Sequence, residues 1–402
     1  MKKWIIVVVA VLVLLGAGGW WFWSLAAVPG EAAPQVTLKV DRPPVMVRRP
    51  GGTGFEEATS GMTLSSGWTV KTGGGAQATL TFFRQAESRL DQNSEVTITD
   101  AAQDENDPTK TSVTLDLGLG RIWSRVLRLF DLDSKYSVKT SSVVATVRGT
   151  AFDVRANADQ TAEVWVSESA VTVSPSRTAN GDGAFSYDDG KVVSALDARA
   201  GVTTSAALAE GTSAVYDASG QLVARRELSA DDQSGRWFMT NAISDKAFVN
   251  AERDSRREEL KKLGGTRPDS PWDGLAQLSE KLHISLAGDA ARDRLAERYL
   301  ARRLARLVEL AETGKAGLAS QEFARLENTI RTRLRGASGA RERKRIKVAL
   351  ARVAILVDNA SPSSALYPLK QRIENLASSL MEEDRASLLF VRLLAADSRL
   401  DE

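Results

Sequence analysis

The spacing of hydrophobic residues changes once along the chain, near residue 229. From Val36 to about Val223, apolar and polar residues alternate in short runs, and glycine-containing polar turns separate the runs. Strict alternation puts every second side chain on the same face, which is the pattern of half-buried β-strands. The pattern predicts an antiparallel all-β domain, which we assign to residues 51–228.

Beyond that point, apolar residues recur every three or four positions, for example at Phe323 and Leu326, which is the period of an amphipathic helix. We assign a connecting helix to residues 229–263. An antiparallel helical bundle is expected over residues 274–402, because short connections join the predicted helices. Residues 264–273 lie between them and contain adjacent glycines and two prolines. Since these residues stop helices, we expect a linker there.

An uncharged apolar run, Trp4–Trp23, lies near the N-terminus. At a rise of about 1.5 Å per residue, it is long enough to cross a hydrocarbon layer of about 30 Å. We therefore expect a transmembrane helix over residues 4–27. Its interfacial anchors are the tryptophans near both ends, because aromatic rings favour the membrane–water boundary. They are Trp4, Trp20, Trp21 and Trp23.

Basic residues predict the orientation of this helix. Lys2 and Lys3 precede it, and no further basic residue follows before Lys39. The positive-inside rule then places residues 1–3 in the cytoplasm and the other domains outside, as a single-pass protein of the cytoplasmic membrane. A cleaved signal peptide is the alternative, which the distal tryptophans and the poor cleavage sequences oppose. Prolines within residues 28–50 predict an extended tether after the membrane.

Composition narrows the classes of function. Lys and Arg number 53 against 51 Asp and Glu, so the net charge of +2 gives no reason to expect nucleic-acid binding. The chain has no cysteine, which excludes disulfides, thiolate nucleophiles and cysteine-ligated metals. Gly118-Leu119-Gly120 lacks the third glycine of a dinucleotide-binding loop and is expected to be a turn. The single histidine, His283, has no motif around it, so we predict no catalytic residue, cofactor or metal and no enzymatic activity.

One local charge cluster occupies residues 331–347. Its basic residues, opposed only by Glu342, are Arg331, Arg333, Arg335, Arg341, Arg343, Lys344, Arg345 and Lys347. Outside the cytoplasm, such a patch could bind anionic lipid headgroups or wall polymers. A solvated helix surface is the alternative that we favour, because charged helix faces are usually only solvated.

Tryptophans offer a second candidate surface, because aromatic rings can stack on carbohydrate. Outside the predicted membrane segment they are Trp68, Trp123, Trp165, Trp237 and Trp272. Burial in a core is the expected role for such large side chains, and alternation puts Trp165 on the face opposite its two neighbouring valines.

Several predicted strands carry residues that resemble the FecR domain family. The stretches are Trp68–Gly73, Ala76–Phe83, Leu90–Ile98, Val113–Val126, Tyr136–Val154 and Thr161–Val173. The most specific residues are Val147, Arg148, Gly149, Thr150 and Phe152. The resemblance covers residues 60–174 and departs from the family at two turn positions, Ser141-Ser142 in place of proline and Ser169 in place of glycine. More loosely, Ser361–Leu400 resembles an uncharacterised helical domain of bacterial envelope proteins.

Classical FecR proteins, which this chain resembles, carry an exported sensor domain on one membrane helix and pass a signal to a cytoplasmic sigma factor. The expected cytoplasmic part, residues 1–3, is too short to form a domain or to hold a partner. We therefore expect a non-catalytic extracytoplasmic binding or scaffold protein that binds a protein or an envelope polymer and could form homo-oligomers. A sensor that acts through a separate partner with a cytoplasmic domain is the alternative.

Overall fold

The structure is a computed structural model that describes part of the chain. The described residues are 36–104, 110–127, 134–147, 149–176, 185–188, 191–194, 205–262, 273–334, 346, 348–350, 353–354, 356–357 and 360–381. The predicted stub 1–3 and membrane segment 4–27, with their lysines and tryptophans, lie outside this range. Among the helices that the structure describes, none is both long and apolar enough to cross a membrane.

Strands dominate the described residues up to residue 227. They are β1 (Val36–Arg42), β2 (Val45–Arg48), β3 (Glu56–Glu57), β4 (Thr63–Leu64), β5 (Thr69–Thr72), β6 (Gln77–Phe82), β7 (Ala86–Leu90), β8 (Glu95–Gln103), β9 (Thr111–Val126), β10 (Lys135–Lys139), β11 (Val143–Val147), β12 (Ala151–Ala156), β13 (Ala162–Glu168), β14 (Ala170–Pro175), β15 (Phe185–Asp188), β16 (Lys191–Ser194), β17 (Ala206–Ala209), β18 (Thr212–Tyr216) and β19 (Leu222–Glu227). β15 and β16 pair with each other as a separate hairpin.

The other strands form two sheets that share β9. In the first sheet the order is β4–β1–β6–β7–β9–β12–β13–β18–β19. In the second it is β3–β2–β5–β8–β9–β10–β11–β14–β17. The pairs are antiparallel except β9 with β10, which is parallel. Alternate residues of both sheets point inward and form one apolar core. The predicted β domain is confirmed, and the parallel pair of β9 with β10 departs from the predicted antiparallel arrangement.

β9 passes from one sheet to the other at Gly120. Its first half pairs with β8 in the second sheet, and from Gly120 onward it pairs with β12 in the first. Gly120 has a φ of +98°, which residues with a side chain rarely adopt. The predicted turn at residues 118–120 is therefore wrong. These residues form a corner within one continuous strand, since the chain must change direction there without breaking its hydrogen-bonded ladder.

The interval 28–50, expected to be a tether, contains two strands of the sandwich. β1 pairs with β6, and β2 pairs with β5. Val36, Leu38, Val45 and Val47 are buried in the common core. This corrects the tether prediction for residues 36–48, because the apolar alternation of these residues outweighs the local effect of the prolines.

Helices follow the sandwich, as predicted from the change of period. They are α1 (Ala230–Ser234), α2 (Arg236–Lys262), α3 (Asp273–Leu286), α4 (Asp289–Glu312), α5 (Ala316–Leu334) and α6 (Tyr367–Met381). A second apolar core joins α4, α5 and α6 with helical residues between positions 346 and 357. The two cores are separate, and α2 lies between them in the sequence.

Replacing Gly120 with alanine should destabilise the sandwich. An added Cβ would lie 2.5 Å from Ser94 Cα, and the positive φ strains any side-chain residue. We expect the free energy of unfolding to fall by about 3 kcal/mol. Gly118→Ala is the control, because its Cβ would meet no atom closer than 3.8 Å. Urea denaturation followed by circular dichroism measures both variants, and equal losses would contradict the corner geometry.

Candidate interaction site

Four side chains lie side by side on the outer face of the first sheet. Arg89 of β7 is in register with Trp123 of β9, Trp123 with Asp153 of β12, and Asp153 with Trp165 of β13. Their chain neighbours point into the core, because side chains alternate between the two faces of a strand. Charged side chains on an outer face are normally solvated, yet Arg89 and Asp153 are buried, and so is Trp123. The covering element is α2.

Asp245 of α2 binds the Arg89 end of this row. Arg89 Nη1 donates to Asp245 Oδ1 at 2.5 Å, and Trp123 Nε1 donates to Asp245 Oδ2 at 3.0 Å. Arg89 also donates to Glu87 through Nη2 at 2.5 Å. Each carboxylate oxygen of Asp245 therefore has a donor, which compensates for burying a charge.

Arg121 and Asp153 make a second contact with α2. Arg121 Nε lies 3.0 and 2.8 Å from the two carboxylate oxygens of Asp153, and Trp237 Nε1 of α2 donates to Asp153 Oδ1 at 2.8 Å. The Arg121 guanidinium lies 5.0 Å from the ring centre of Trp165 and 5.4 Å from that of Trp237. Cation–π attraction to both rings and the shared carboxylate together fix the first turn of α2 on the sheet.

Arg84, in the turn between β6 and β7, makes the third contact. Phe83 and Arg84 have φ values of 52° and 58°, which are unusual for residues with side chains. Arg84 donates to Glu252 Oε2 at 3.0 Å and to Ser255 Oγ at 2.8 Å, and it also pairs with Glu259. The strained turn thus aims one guanidinium at three side chains on successive turns of α2.

Apolar packing and a bundle contact complete the environment of α2. The Phe238 ring meets the edge of Trp123 with 5.2 Å between ring centres, and Phe248 is buried. Near its other end, Arg257 pairs with Glu312 of α4. α2 therefore contacts both the sandwich and the helical bundle.

We call the interface between α2 and the first sheet the seam, and its acids are Asp245, Glu87 and Asp153. Burial shifts the pKa of all three in the same direction. It raises the pKa of Asp245, Glu87 and Asp153, because desolvation disfavours their charged forms. Arg89 opposes the shift at Asp245 and Glu87, and Arg121 opposes it at Asp153. Among the described residues, these three carboxylates accept their side-chain hydrogen bonds from arginine and tryptophan.

Comparison with known protein families matches residues 68–172 to the family described as FecR protein. This part of the chain is a FecR-like domain. The match runs from the start of β5 into β14 and includes β7, β9 and β12, the strands whose side chains bind α2. It confirms the resemblance inferred from the sequence. Strands outside the match, such as β1 and β18, complete the sheets around the FecR-like domain.

Comparison with solved structures finds only a weak similarity, and comparison with curated proteins finds no match. Two crystal structures of a protein proposed to be an anti-sigma factor from Parabacteroides distasonis are similar at 14% identity, with a TM-score of 0.29. The similarity covers 40% of this chain and 61% of that one. So low a TM-score supports no conclusion about function. No curated protein matches the sequence.

The signature residues lie at the junction of β11 and β12. Val147 and Phe152 are buried in the core, and Phe152 meets Tyr136 edge-on. Thr150 exchanges backbone hydrogen bonds with Val126 of β9. Gly149 has a φ of +120°, which explains glycine there, and Arg148 lies outside the described residues. These residues shape the junction between the two strands. Phe152 directly precedes Asp153, which binds Trp237 of α2.

Ser169, where the FecR family often has glycine, has a φ of +67°. Glycine adopts such a backbone without strain, whereas serine does so at a cost. The Ser169 N–H donates to Glu210 Oε2 at 2.9 Å, which helps to hold the turn between β13 and β14. The fold thus keeps the turn even though the sequence departs from the family.

The structure describes little of the basic patch and most of the tryptophans that the sequence analysis named as candidate surfaces. In the basic patch, Arg331 and Arg333 fall in the last turn of α5, with side chains outside the described part. Arg335, Arg341, Arg343, Lys344, Arg345 and Lys347 lie outside it altogether, so lipid or polymer binding stays a prediction. Among the tryptophans, burial is confirmed for Trp123, while Trp68, Trp165 and Trp237 are partly buried. Trp272 is outside the described residues.

Sequence reasoning missed the residues that matter most here. Arg89, Asp153 and Asp245 were not singled out, because a polar residue on an alternating strand normally faces water. One signal was available in α2. Its inward residues Trp237, Asn241 and Asp245 recur every four positions, which marks one helical face even though two of them are polar.

Removing the Asp245 carboxylate should loosen α2. In Asp245→Ala, Trp123 Nε1 loses its acceptor, and Arg89 keeps Glu87 and a longer hydrogen bond of 3.4 Å to the Asn241 carbonyl oxygen. We therefore expect a loss of about 2–3 kcal/mol in the free energy of unfolding. Asp245→Asn should lose less, since its side-chain oxygen can still accept one hydrogen bond. Asp254→Asn, at an exposed position of the same helix, is the control and should stay within about 0.5 kcal/mol. Urea denaturation measures all three, and an unaffected Asp245→Ala would contradict the seam.

The buried acids should also set a pH dependence. The folded pKa of Asp153 is raised above its unfolded value, so its contribution to stability is present below about pH 4 and is lost as pH rises through the folded pKa. We expect the wild type to gain stability relative to Asp153→Asn when the pH is lowered from 7 to 4. Denaturation of both proteins at several pH values measures this difference.

Asp159 supplies a control of opposite sign. It lies in an exposed turn, where hydrogen bonds from Thr161 lower its pKa. Its contribution is therefore present above the unfolded pKa and is lost as pH falls through the folded one. The wild type should lose stability relative to Asp159→Asn as the pH falls below about 4. The same slope for both variants would contradict the assignment of a buried, desolvated Asp153.

Proposed function

We propose that the protein is a non-catalytic component of a signal-transduction system, in which a partner bound by the FecR-like domain changes the position of α2 and, through it, the helical bundle. The FecR match supports a signalling role. The observation that carries the mechanism is the burial of Asp245 between Arg89 and Trp123. A helix held in this way is part of the sandwich surface, so a change in that surface is passed to the helix.

The C-terminal part of α2 contacts the helical bundle, so a change in the position of α2 would reach the bundle. Arg257 pairs with Glu312 on α4, whose apolar side is in the core of the bundle. A 27-residue helix transmits displacement along its axis because its backbone hydrogen bonds make it stiff. Contacts at both ends therefore couple the FecR-like domain to the bundle mechanically.

A fixed scaffold is the second candidate. The same ion pairs at Arg84, Arg89 and Arg257 would suit a rigid spacer that holds the FecR-like domain at a set distance from the bundle. In both proposals the chain is held in the cytoplasmic membrane by residues 4–27, with the FecR-like domain and the bundle outside. The partner is a protein with its own cytoplasmic domain in the first case, and a protein or envelope polymer in the second.

Photo-crosslinking in the native membrane distinguishes the two. A photoreactive residue replaces Leu119, which is 43% exposed on the FecR-like domain, in the full chain. Crosslinking to a membrane protein that has a cytoplasmic domain supports the sensor, and crosslinking to wall polymer or a secreted protein supports the scaffold. A second photoreactive residue at Met239, on the exposed side of α2, serves as the control site.

Coupling through α2 has its own test in the same system. For a sensor, Asp245→Ala should change the downstream output while the crosslinking yield at position 119 stays the same, because the variant uncouples α2 without altering the exposed surface. An unchanged output together with unchanged crosslinking would reject transmission through α2. Protease digestion of intact spheroplasts tests the topology, since a fully protected chain would place both domains in the cytoplasm.

A further inference from the structure

The turn between β6 and β7 has a strained backbone. Phe83 and Arg84 both have a left-handed φ, of 52° and 58°, and the Gln85 N–H donates to the Phe82 carbonyl oxygen at 2.8 Å to close the turn. A hairpin turn with two successive left-handed residues usually contains asparagine or glycine, because larger side chains disfavour this backbone. Strain of this kind persists only where the surroundings hold it, so contacts of Phe83 and Arg84 must offset it.

These two residues are held by different parts of the molecule. Phe83 lies in the apolar core of the sandwich, where it borders a small cavity with room for about one water molecule. Arg84 binds α2, through Glu252, Ser255 and Glu259. Because Phe83 and Arg84 are adjacent and share the backbone of one tight turn, movement of the phenylalanine out of the core would also move the guanidinium.

α2 is attached to the sandwich along both halves of its length. In the N-terminal half, Trp237 and Asp245 are bound at the seam by side chains of β7, β9 and β12. In the C-terminal half, Arg84 binds residues between positions 252 and 259. Arg257, which pairs with Glu312 of α4, lies within that interval. The half of α2 that contacts the bundle is therefore the half that Arg84 holds.

We propose that the β6–β7 turn is a strained latch on the C-terminal half of α2. In the latched state, burial of Phe83 and the ion pairs of Arg84 together offset the strain of the turn. When either contact is lost, the backbone relaxes to negative φ and the other contact is lost with it. Residues 252–259 then leave the sandwich, while the N-terminal half of α2 stays bound at the seam.

The role of this latch rests on the function proposed above. It names the step at which a change in the FecR-like domain reaches the part of α2 that contacts α4. A latch of this kind couples two contacts in both directions, since the coupling free energy between two sites is reciprocal. Loss of the Phe83 contact must weaken the Arg84 contact, and loss of the Arg84 contact must weaken that of Phe83.

Hydrogen exchange of the full chain tests the coupling from the side of the core. Phe83→Ala removes a ring from the core and leaves Arg84 and α2 unchanged in sequence. We expect amides of residues 252–259 to exchange about tenfold faster, while those of residues 237–245 stay the same. Ile98→Ala, a core substitution in β8, is the control for a general loss of packing and should not act selectively on residues 252–259. Unchanged exchange of residues 252–259 in Phe83→Ala would overturn the latch.

The reverse experiment changes only α2. Glu252→Gln combined with Glu259→Gln removes both charged partners of Arg84 and does not alter the turn itself. We expect the Gln85 amide, which closes the turn, to exchange about tenfold faster, because the turn relaxes once Arg84 is released. The amide of Gln160, which closes the turn between β12 and β13, is the internal control. Equal protection of the Gln85 amide in the wild type and this variant would contradict the proposal.

The strain itself is measured by comparing two substitutions at one position. Arg84→Ala and Arg84→Gly both remove the guanidinium, but only glycine relieves the left-handed backbone. We expect a several-fold larger folding equilibrium constant for Arg84→Gly. Lys71, on the exposed face of β5, is the matched control, where alanine should be the more stable of the two. Alanine equal to or better than glycine at position 84 would overturn the latch.

Failure of the latch and failure of the proposed function give different results. The downstream output is measured in the same Phe83→Ala protein that is used for hydrogen exchange. Faster exchange of residues 252–259 with an unchanged output would support the latch and reject transmission through α2. Unchanged exchange would overturn the latch whatever the output.

Discussion

Asp245 brings a carboxylate into a seam that nearly excludes water, where Arg89 and Trp123 donate one hydrogen bond to each of its oxygens. A charge in such a place is tolerated only while both donors are present, because an unpaired buried charge is costly. The position of α2 on the first sheet therefore depends on this contact. The row from Arg89 to Trp165 and the turn at Arg84 extend the same dependence along the helix.

The strands that α2 contacts belong to the part of the chain that matches the FecR family. The matched residues supply the strands, and the chain's own helix supplies the cover for their outer face. A polar seam holds a helix in one register more specifically than an apolar one, since each charge has a defined partner. In the signalling role proposed above, this register keeps α2 in one place until a partner alters the surface.

Much of the architecture could be read from periodicity. The alternation around Val164 and Val166 and the change of period after residue 229 predicted a β domain followed by helices, because burial of one face leaves that imprint on the chain. The corner at Gly120 was misread as a turn. A glycine between apolar alternating residues is compatible with both, and only the pairing of β9 with β8 and then β12 decides between them.

The candidate site could not be predicted from the spacing of hydrophobic residues, for a different reason. Arg89 and Asp153 occupy polar positions of alternating strands, and a single chain pattern does not reveal that a distant helix will cover them. α3 shows the same limit, since its leucines predict an inward face, whereas the ion pairs of Glu280 with α4 turn them outward. In both helices, specific charge pairs outweigh the apolar pattern in deciding which face is buried.

Native-state hydrogen exchange of α2 tests the central claim most directly. If the seam makes α2 part of the sandwich, amides of residues 241–249 should exchange only when β9 and β12 also open, and their opening free energies should agree. Exchange of these amides by local opening, at rates typical of a free helix while β9 and β12 stay protected, would contradict the account.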